Sequence, residues 1–286
     1  MSLTLPAAPL EDAAISGDFE GGAELYEREL KRIFARFWMP VGRAEELDEV
    51  GGYFTWDRTR IPTVMVRSVD HQIRGYYNSC RHRGAPVVRT PTGRARAFRC
   101  QYHSWTYDTF GKLMAIPDER DFGNIDRCAH SLVPLRLAEL GGWLWIDQSG
   151  EAPDLAAALG DLHPWLDARA QYRLAGRHTQ VVDVDWKRVI AHLRARMVDA
   201  HSHFPNICFV EAGGELSMMV AWPRDEQTTE VELVVCVAPG AAEPSSDALR
   251  QRLDEALAGI LPGRGALEAS SGDFADAWSR ALSPEA

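Results

Sequence analysis

The sequence predicts an α+β protein in two parts, and three observations carry that expectation. The chain has 286 residues, enough for one large or two modest domains with real cores. After one amphipathic segment, the texture from Met39 to Asp147 is short strand-like runs broken by Gly, Pro and Asp. Beyond Gln148, longer strand patterns alternate with helical ones. We place boundaries at 1–38 for an N-terminal arm and helix, 39–150 for an all-β domain, and 151–286 for a helix-backed antiparallel-sheet domain.

In chain order, residues 1–20 are rich in Ala, Pro and acidic residues and read as surface chain. Glu24 to Trp38 brings Leu25, Leu30, Ile33, Phe34 and Phe37 near helical spacing, which predicts an amphipathic helix. Ile61–Arg67 and Ile73–Asn78 alternate about Val69-Asp70-His71, which predicts a hairpin. Phe98–Tyr102, Thr106–Asp108 and Leu113–Ile116 continue the antiparallel pattern. A polar turn, a short helix and a linker follow over 148–176. Arg177–Asp185 reads as a strand. Trp186–His203 reads as a helix that stops ahead of Pro205, because the residue before a proline avoids helical geometry. Asn206–Val210, Leu216–Trp222 and Glu230–Val237 read as strands, with Ala212-Gly213-Gly214-Glu215 as a turn. Ser246–Ile260 predicts an amphipathic helix with Ser246 as its N-cap. A last helical piece surrounds Trp278.

Composition narrows the function classes. No run of 18 or more apolar residues exists, so no membrane-spanning helix is expected. The net charge of −10 argues against nucleic acid and anionic membranes as partners. The N-terminus has no basic segment followed by an apolar stretch, so no signal peptide is expected. Five cysteines make an odd number, and Cys128, Cys208 and Cys236 read as free core thiols. That usage fits a reducing cytoplasm.

The chemistry concentrates between Asn78 and Lys112. Cys80-Arg81-His82 is separated by 17 residues from Cys100-Gln101-Tyr102-His103. Two thiolates and two imidazoles are the ligand set of a Rieske [2Fe–2S] cluster, in which two cysteines hold one iron and two histidines the other. The same four donors are also a zinc set. Zinc modules usually pair the cysteines in one knuckle and the histidines on a helix, whereas each half here supplies one of each. Gly84, Pro86 and Ser104-Trp105 read as tight loops that turn backbone N–H groups toward sulfur. Trp105, Trp143 and Trp145 read as core and as cover for the site.

NSCRHRGAPV and CQYHSWTYDTFGKL resemble the two cluster loops of the Rieske non-haem iron oxygenases, the α subunits of aromatic-ring-hydroxylating systems. RIFARFWMPVGRAEELDEVGGYFTWD, IPTVMVRSVDHQIRGYYNSC, GGWLWID and VDVDWKRVI extend the likeness. The resemblance implies Cys80 and Cys100 on the ferric iron, His82 and His103 on the iron that is reduced, and a helix-grip-like catalytic-type domain behind them. It implies a ferredoxin or an NAD(P)H-dependent reductase as electron source, and a homo- or hetero-oligomer with oxygenase subunits. No G-x-G-x-x-G nucleotide fingerprint is present, so the reductase is a separate protein.

The family also carries a mononuclear Fe(II) held by two histidines and a carboxylate. The Asp185-Trp186-Lys187 helix start matches. The expected histidine positions, however, read Val198 and His203 in one register and Asp199 and Phe204 in the other. Ala195 or Arg196 stands where a bridging carboxylate belongs. The later acidic ligand run is replaced by Gly265–Asp273, with serine at both Asp positions. HFPNICF follows the helix at once, which implies a shortened, ligand-poor domain. Asp199 and His203, at i and i+4 on the expected helix, are candidates for a rearranged iron site with His192, His201 and Asp273 or Asp276. A polar, partner-facing helix is the plainer reading. Three functions follow: an electron-relaying α-like subunit that has lost its iron, an oxygenase with an altered iron site acting on an apolar substrate, or a non-redox zinc subunit.

Overall fold

The computed structural model describes residues 22–197, 200–260 and 272–283. The chain divides into two compact units: one is Trp38–Glu151, and the other is assembled from the stretches on either side of it. Among the described residues, no helix is long and apolar enough to cross a membrane.

Unit 38–151 is all-β apart from single helical turns. Its strands are β1 (Met39–Arg43), β2 (Gly52–Trp56), β3 (Thr63–Arg67), β4 (Ile73–Tyr77), β5 (Thr92–Arg94), β6 (Ala97–Arg99), β7 (Thr106–Asp108), β8 (Leu113–Ala115), β9 (Pro134–Leu140) and β10 (Trp143–Asp147). Seven form an antiparallel sheet in the order β1-β10-β9-β4-β3-β2-β5, and β6-β7-β8 form a smaller one. β3 and β4 pair from Thr63↔Tyr77 to Arg67↔Ile73, the expected hairpin. Its turn is closed by Ser68 N–H donating to Gln72 O at 2.9 Å, with His71 in the left-handed region. All five residues of β10 are buried. A strand covered on both faces reads as an unbroken apolar run, which is why WLWI shows no alternation.

In the second unit, α1 (Ala23–Glu29) tightens into a π turn at Leu30–Phe34. After it come α2 (Leu155–Leu159), α3 (Leu162–Asp167), β11 (Arg173–Val182), α4 (Trp186–Arg196), β12 (His201–His203), β13 (Ile207–Ala212), β14 (Glu215–Pro223), β15 (Thr229–Val237), α5 (Ser246–Leu257) and α6 (Gly272–Leu282). The five strands pair antiparallel in the order β11-β15-β14-β13-β12, one more than the four found in the sequence. Gly213 and Gly214 both take positive φ, the geometry of a two-residue hairpin turn.

Three expectations are corrected. The helix from Trp186 ends at Arg196, and His201–His203 is a strand paired with β13. His203 therefore does not share a helix face with Asp199, which lies outside the described residues. The N-cap of α5 is Ser245, whose hydroxyl accepts from Ala248 N–H at 3.2 Å, not Ser246. Cys128 is exposed, whereas Cys208 and Cys236 are core thiols as expected.

The second unit is centred on a buried charge. Glu29 accepts from Lys187 Nζ at 2.8 Å, Trp186 Nε1 at 2.9 Å and Trp278 Nε1 at 2.8 Å. Lys187 also reaches Asp185 Oδ2 at 2.7 Å, and Asp185 caps α4. Side-chain exposure is 3% for both Glu29 and Lys187, so neither can recover water if the other is removed. Lys187→Met is expected to cost about 3–5 kcal/mol of stability in urea unfolding, because it strands a buried carboxylate.

Candidate metal centre

Two loops of unit 38–151 repeat one backbone design. In the first, Cys80 N–H donates to Ala85 O at 2.8 Å, and Cys80 O accepts from Gly84 N–H at 2.8 Å. In the second, Cys100 N–H donates to Trp105 O at 2.9 Å, and Cys100 O accepts from Ser104 N–H at 2.9 Å. The fourth residue after each cysteine is left-handed: Gly84 at φ 76° and Ser104 at φ 59°. Glycine meets that geometry freely, while for serine it costs about 1–2 kcal/mol. The first loop is pinned from behind by buried Asn78. Its Oδ1 accepts from Val87 and Val88 N–H at 3.0 and 2.9 Å, and its Nδ2 donates to Val88 O at 2.7 Å.

This paired design brings together the side chains singled out in the sequence. Cys80 and Cys100 are buried in one apolar cluster with Tyr107, Trp105, Phe98 and Leu132, and neither is in a disulfide. The His82 and His103 rings lie edge to face with centroids 4.5 Å apart. His82 stacks flat on Trp105 at 5.0 Å, and Phe122 closes its edge at 5.4 Å. His82 Nδ1 is buried with no hydrogen-bond partner among the described residues, an expensive state for a ring nitrogen unless something accepts its lone pair. Burial, then the neighbouring His103 and Arg83, hold the His82 pKa below the usual imidazole range. Burial chiefly raises the Cys80 thiol pKa, and Tyr107 opposes that rise.

Tyr107 is the functional residue that the sequence reading passed over. Its hydroxyl lies 3.3 Å from Cys80 Sγ and accepts from Arg81 N–H at 3.0 Å. With one lone pair occupied, its own proton is free to point at the sulfur. The available signal was strand alternation, since Tyr107 stands two residues after Trp105 and therefore on the same face.

The donor set fits a binuclear iron–sulfur group. Two thiols stand with two imidazoles, one of which presents an orphaned ring nitrogen. Cys2His2 with one cysteine and one histidine from each loop is the donor set of such a group.

The residues considered for a second iron are placed as follows. His203 lines a small pocket with Ile190, Arg194, Ser202, Asp273 and Phe274. Burial pushes His203 down to about 4, which favours the neutral ring. Arg194 is half-buried with its guanidinium 6.0 Å from the Phe274 ring. Arginine keeps its charge even where burial lowers its pKa, and it opposes a divalent cation. His192 Nε2 is bonded to Ala256 O at 3.2 Å, and His201 packs on Trp165 at 4.2 Å. Asp199, Ser270 and Ser271 lie outside the described residues.

Residues 37–126 match the Rieske [2Fe–2S] domain family. The biphenyl dioxygenase α subunit of Metapseudomonas furukawaii is 34% identical over 178 residues, covering 57% of this chain and 39% of that protein. The benzene 1,2-dioxygenase α subunit of Pseudomonas putida is 36% identical over 168 residues, covering 58% and 37%. The matched stretch thus spans about two fifths of those relatives' length. In fold, the chain is similar to the quaternary ammonium Rieske monooxygenase CntA, with a TM-score of 0.69 at 20% identity over 85% of this chain and 79% of that one. Naphthalene 1,2-dioxygenase from Rhodococcus sp. gives a TM-score of 0.67 at 20% identity, over 92% and 81%.

Asn78→Ala removes three hydrogen bonds and leaves buried amides unpaired, at an expected cost of about 2–3 kcal/mol in urea unfolding. Hydrogen exchange at Val87 and Val88 is expected to accelerate more than exchange in β3.

Proposed function

Since the chain carries a Rieske [2Fe–2S] domain homologous to that of aromatic-ring-hydroxylating dioxygenase α subunits, we propose that it works as an electron-relaying subunit of such an oxygenase system. Its own mononuclear iron site is lost on this reading. The observation that carries it is the convergence of His82, with its orphaned Nδ1, and His103 at 4.5 Å, beside the buried pair Cys80 and Cys100.

Cys80 and Cys100 would hold one iron as thiolates, and His82 and His103 would hold the other as neutral imidazoles. When bound, the cluster supplies one-electron oxidation and reduction. Trp105 keeps water from one face of His82 and fixes the ring plane. Tyr107 donates toward the Cys80 sulfur, which favours the more negative, reduced state. His103 is exposed and so offers the edge at which an electron can enter or leave.

A ferredoxin or an NAD(P)H-dependent reductase supplies the electron. A neighbouring oxygenase subunit, in a homo- or hetero-oligomer, receives it. The setting is the cytoplasm. Arg194 in the pocket beside His203 supports the loss of the second iron. A rearranged iron site retains one supporting observation, because His203 and Asp273 line that same pocket.

Iron and acid-labile sulfide content of anaerobically purified protein tests this reading. About two irons and two sulfides per chain, with visible absorption and an EPR signal on reduction, are expected. A third iron would restore an oxygenase site, and a colourless zinc protein would overturn the proposal. Tyr107→Phe is expected to leave the iron count unchanged and lower the reduction potential. A bond worth about 1 kcal/mol more to the reduced state corresponds to about 40 mV in voltammetry.

A further inference from the structure

In both loops of the metal centre a side chain crosses the turn, from the residue before the cysteine to the left-handed residue four positions after it. In the first loop Ser79 Oγ donates to Gly84 O at 3.3 Å. In the second Arg99 Nη2 donates to Ser104 Oγ at 2.9 Å. The two crossings differ in what they hold. The first ends on a carbonyl that any residue would offer. The second ends on the side chain whose Cβ makes the left-handed backbone costly, because at φ 59° that atom crowds the carbonyl oxygen that follows. Gly84, at φ 76°, has no Cβ to crowd.

Ser104 is fastened at three atoms. Its N–H donates to Cys100 O at 2.9 Å, its carbonyl accepts from Thr106 Oγ1 at 3.0 Å, and its hydroxyl accepts from Arg99. Arg99 and Thr106 face each other in the β6–β7 pair, so both side-chain ties come from one cross-strand position. His103 stands inside this turn, between Cys100 and Ser104, with its ring edge-on to His82 at 4.5 Å and 76°. The residue after His103 sets the direction in which the chain leaves, and with it the direction in which the imidazole points.

We propose that Arg99 is a positioning residue for the metal centre: by holding the Ser104 hydroxyl it keeps a serine in the left-handed backbone, and so keeps His103 turned toward His82. The inference rests on the reading of both histidines as cluster ligands given above. A guanidinium near a metal centre also acts by charge alone, but that effect is the same whatever stands at position 104. Coupling between the two positions therefore separates the tie from the charge.

The test is a set of variants of the full-length protein, read by the rate of cluster loss to an iron chelator and by the EPR g values of the reduced state. Arg99→Met, and Ser104→Ala, which keeps the Cβ and loses the acceptor, are each expected to speed cluster loss about five-fold and to shift the g values. Ser104→Gly removes both the crowding and the need for the tie, and is expected to stay within about two-fold of wild type. Arg99→Met added to either change at position 104 is expected to alter the rate no further. The same order is expected for hydrogen exchange at the Ser104 amide in metal-free protein, which keeps the test open if a variant does not retain its cluster. Additive losses, a silent Arg99→Met, or a Ser104→Gly as damaging as Ser104→Ala would each overturn the proposal. The expected order of exchange in a protein without iron–sulfur absorption would uphold the positioning role and sink the redox reading instead.

Discussion

Unit 38–151 is organised by the need to hold two thiols and two imidazoles in one place without letting them settle for other partners. Burial makes the Cys80 thiol resist ionising, and a buried imidazole nitrogen with no partner is destabilising. Folding alone would not place such groups together cheaply. The chain compensates with rigidity around them: two turns of the same backbone design, a side-chain amide clamping three main-chain groups, and an indole stacked at 10° on an imidazole. The apolar cluster behind the loops excludes water from sulfur, and the large sheet fixes where the strands end. A bound cluster offsets the cost that the empty ligands carry, so metal affinity and local stability are the same quantity seen from two sides.

The second unit shows the other outcome. It keeps the helix-backed antiparallel sheet seen in oxygenase folds. Its helix from Trp186 is secured by a buried lysine–glutamate pair. His201–His203 is an edge strand, and the pocket beside it is lined by a guanidinium, an imidazole, a carboxylate and two phenyl rings. A likeness of scaffold leaves the chemistry of this pocket to be argued from its own side chains.

Most of the first unit was legible in the sequence because its signals are local. The hairpin about Asp70, the strand at Thr106–Asp108 and the two Cys-His pairs follow from alternation, turn residues and spacing within a few positions. Tyr107 was missed because its role depends on where Cys80 lies, 27 residues away. The overextended helix from Trp186 has a clear cause. Pro205 predicted a stop, but nothing local marked the earlier exit at Arg196, and pairing of His201–His203 with β13 is a long-range gain that propensity does not see. Ser245 and Ser246 are equally good caps on paper, and only the turn geometry separates them.

The discontinuity of the second unit has a consequence for how the protein is made. α1 buries Leu30, Ile33 and Phe34, and its Glu29 waits for Trp186, Lys187 and Trp278. On the ribosome Trp186 and Lys187 emerge 157 and 158 residues later and Trp278 249 residues later, roughly 8–50 s at ordinary elongation rates of ~5–20 residues per second. Throughout that interval a nascent helix exposes a greasy stripe and an unmatched acid while the β-rich middle is already folding. Chaperone capture of this early segment, and cofactor loading of the middle before the flanks close, are the natural sequence of events for a polypeptide threaded in this way.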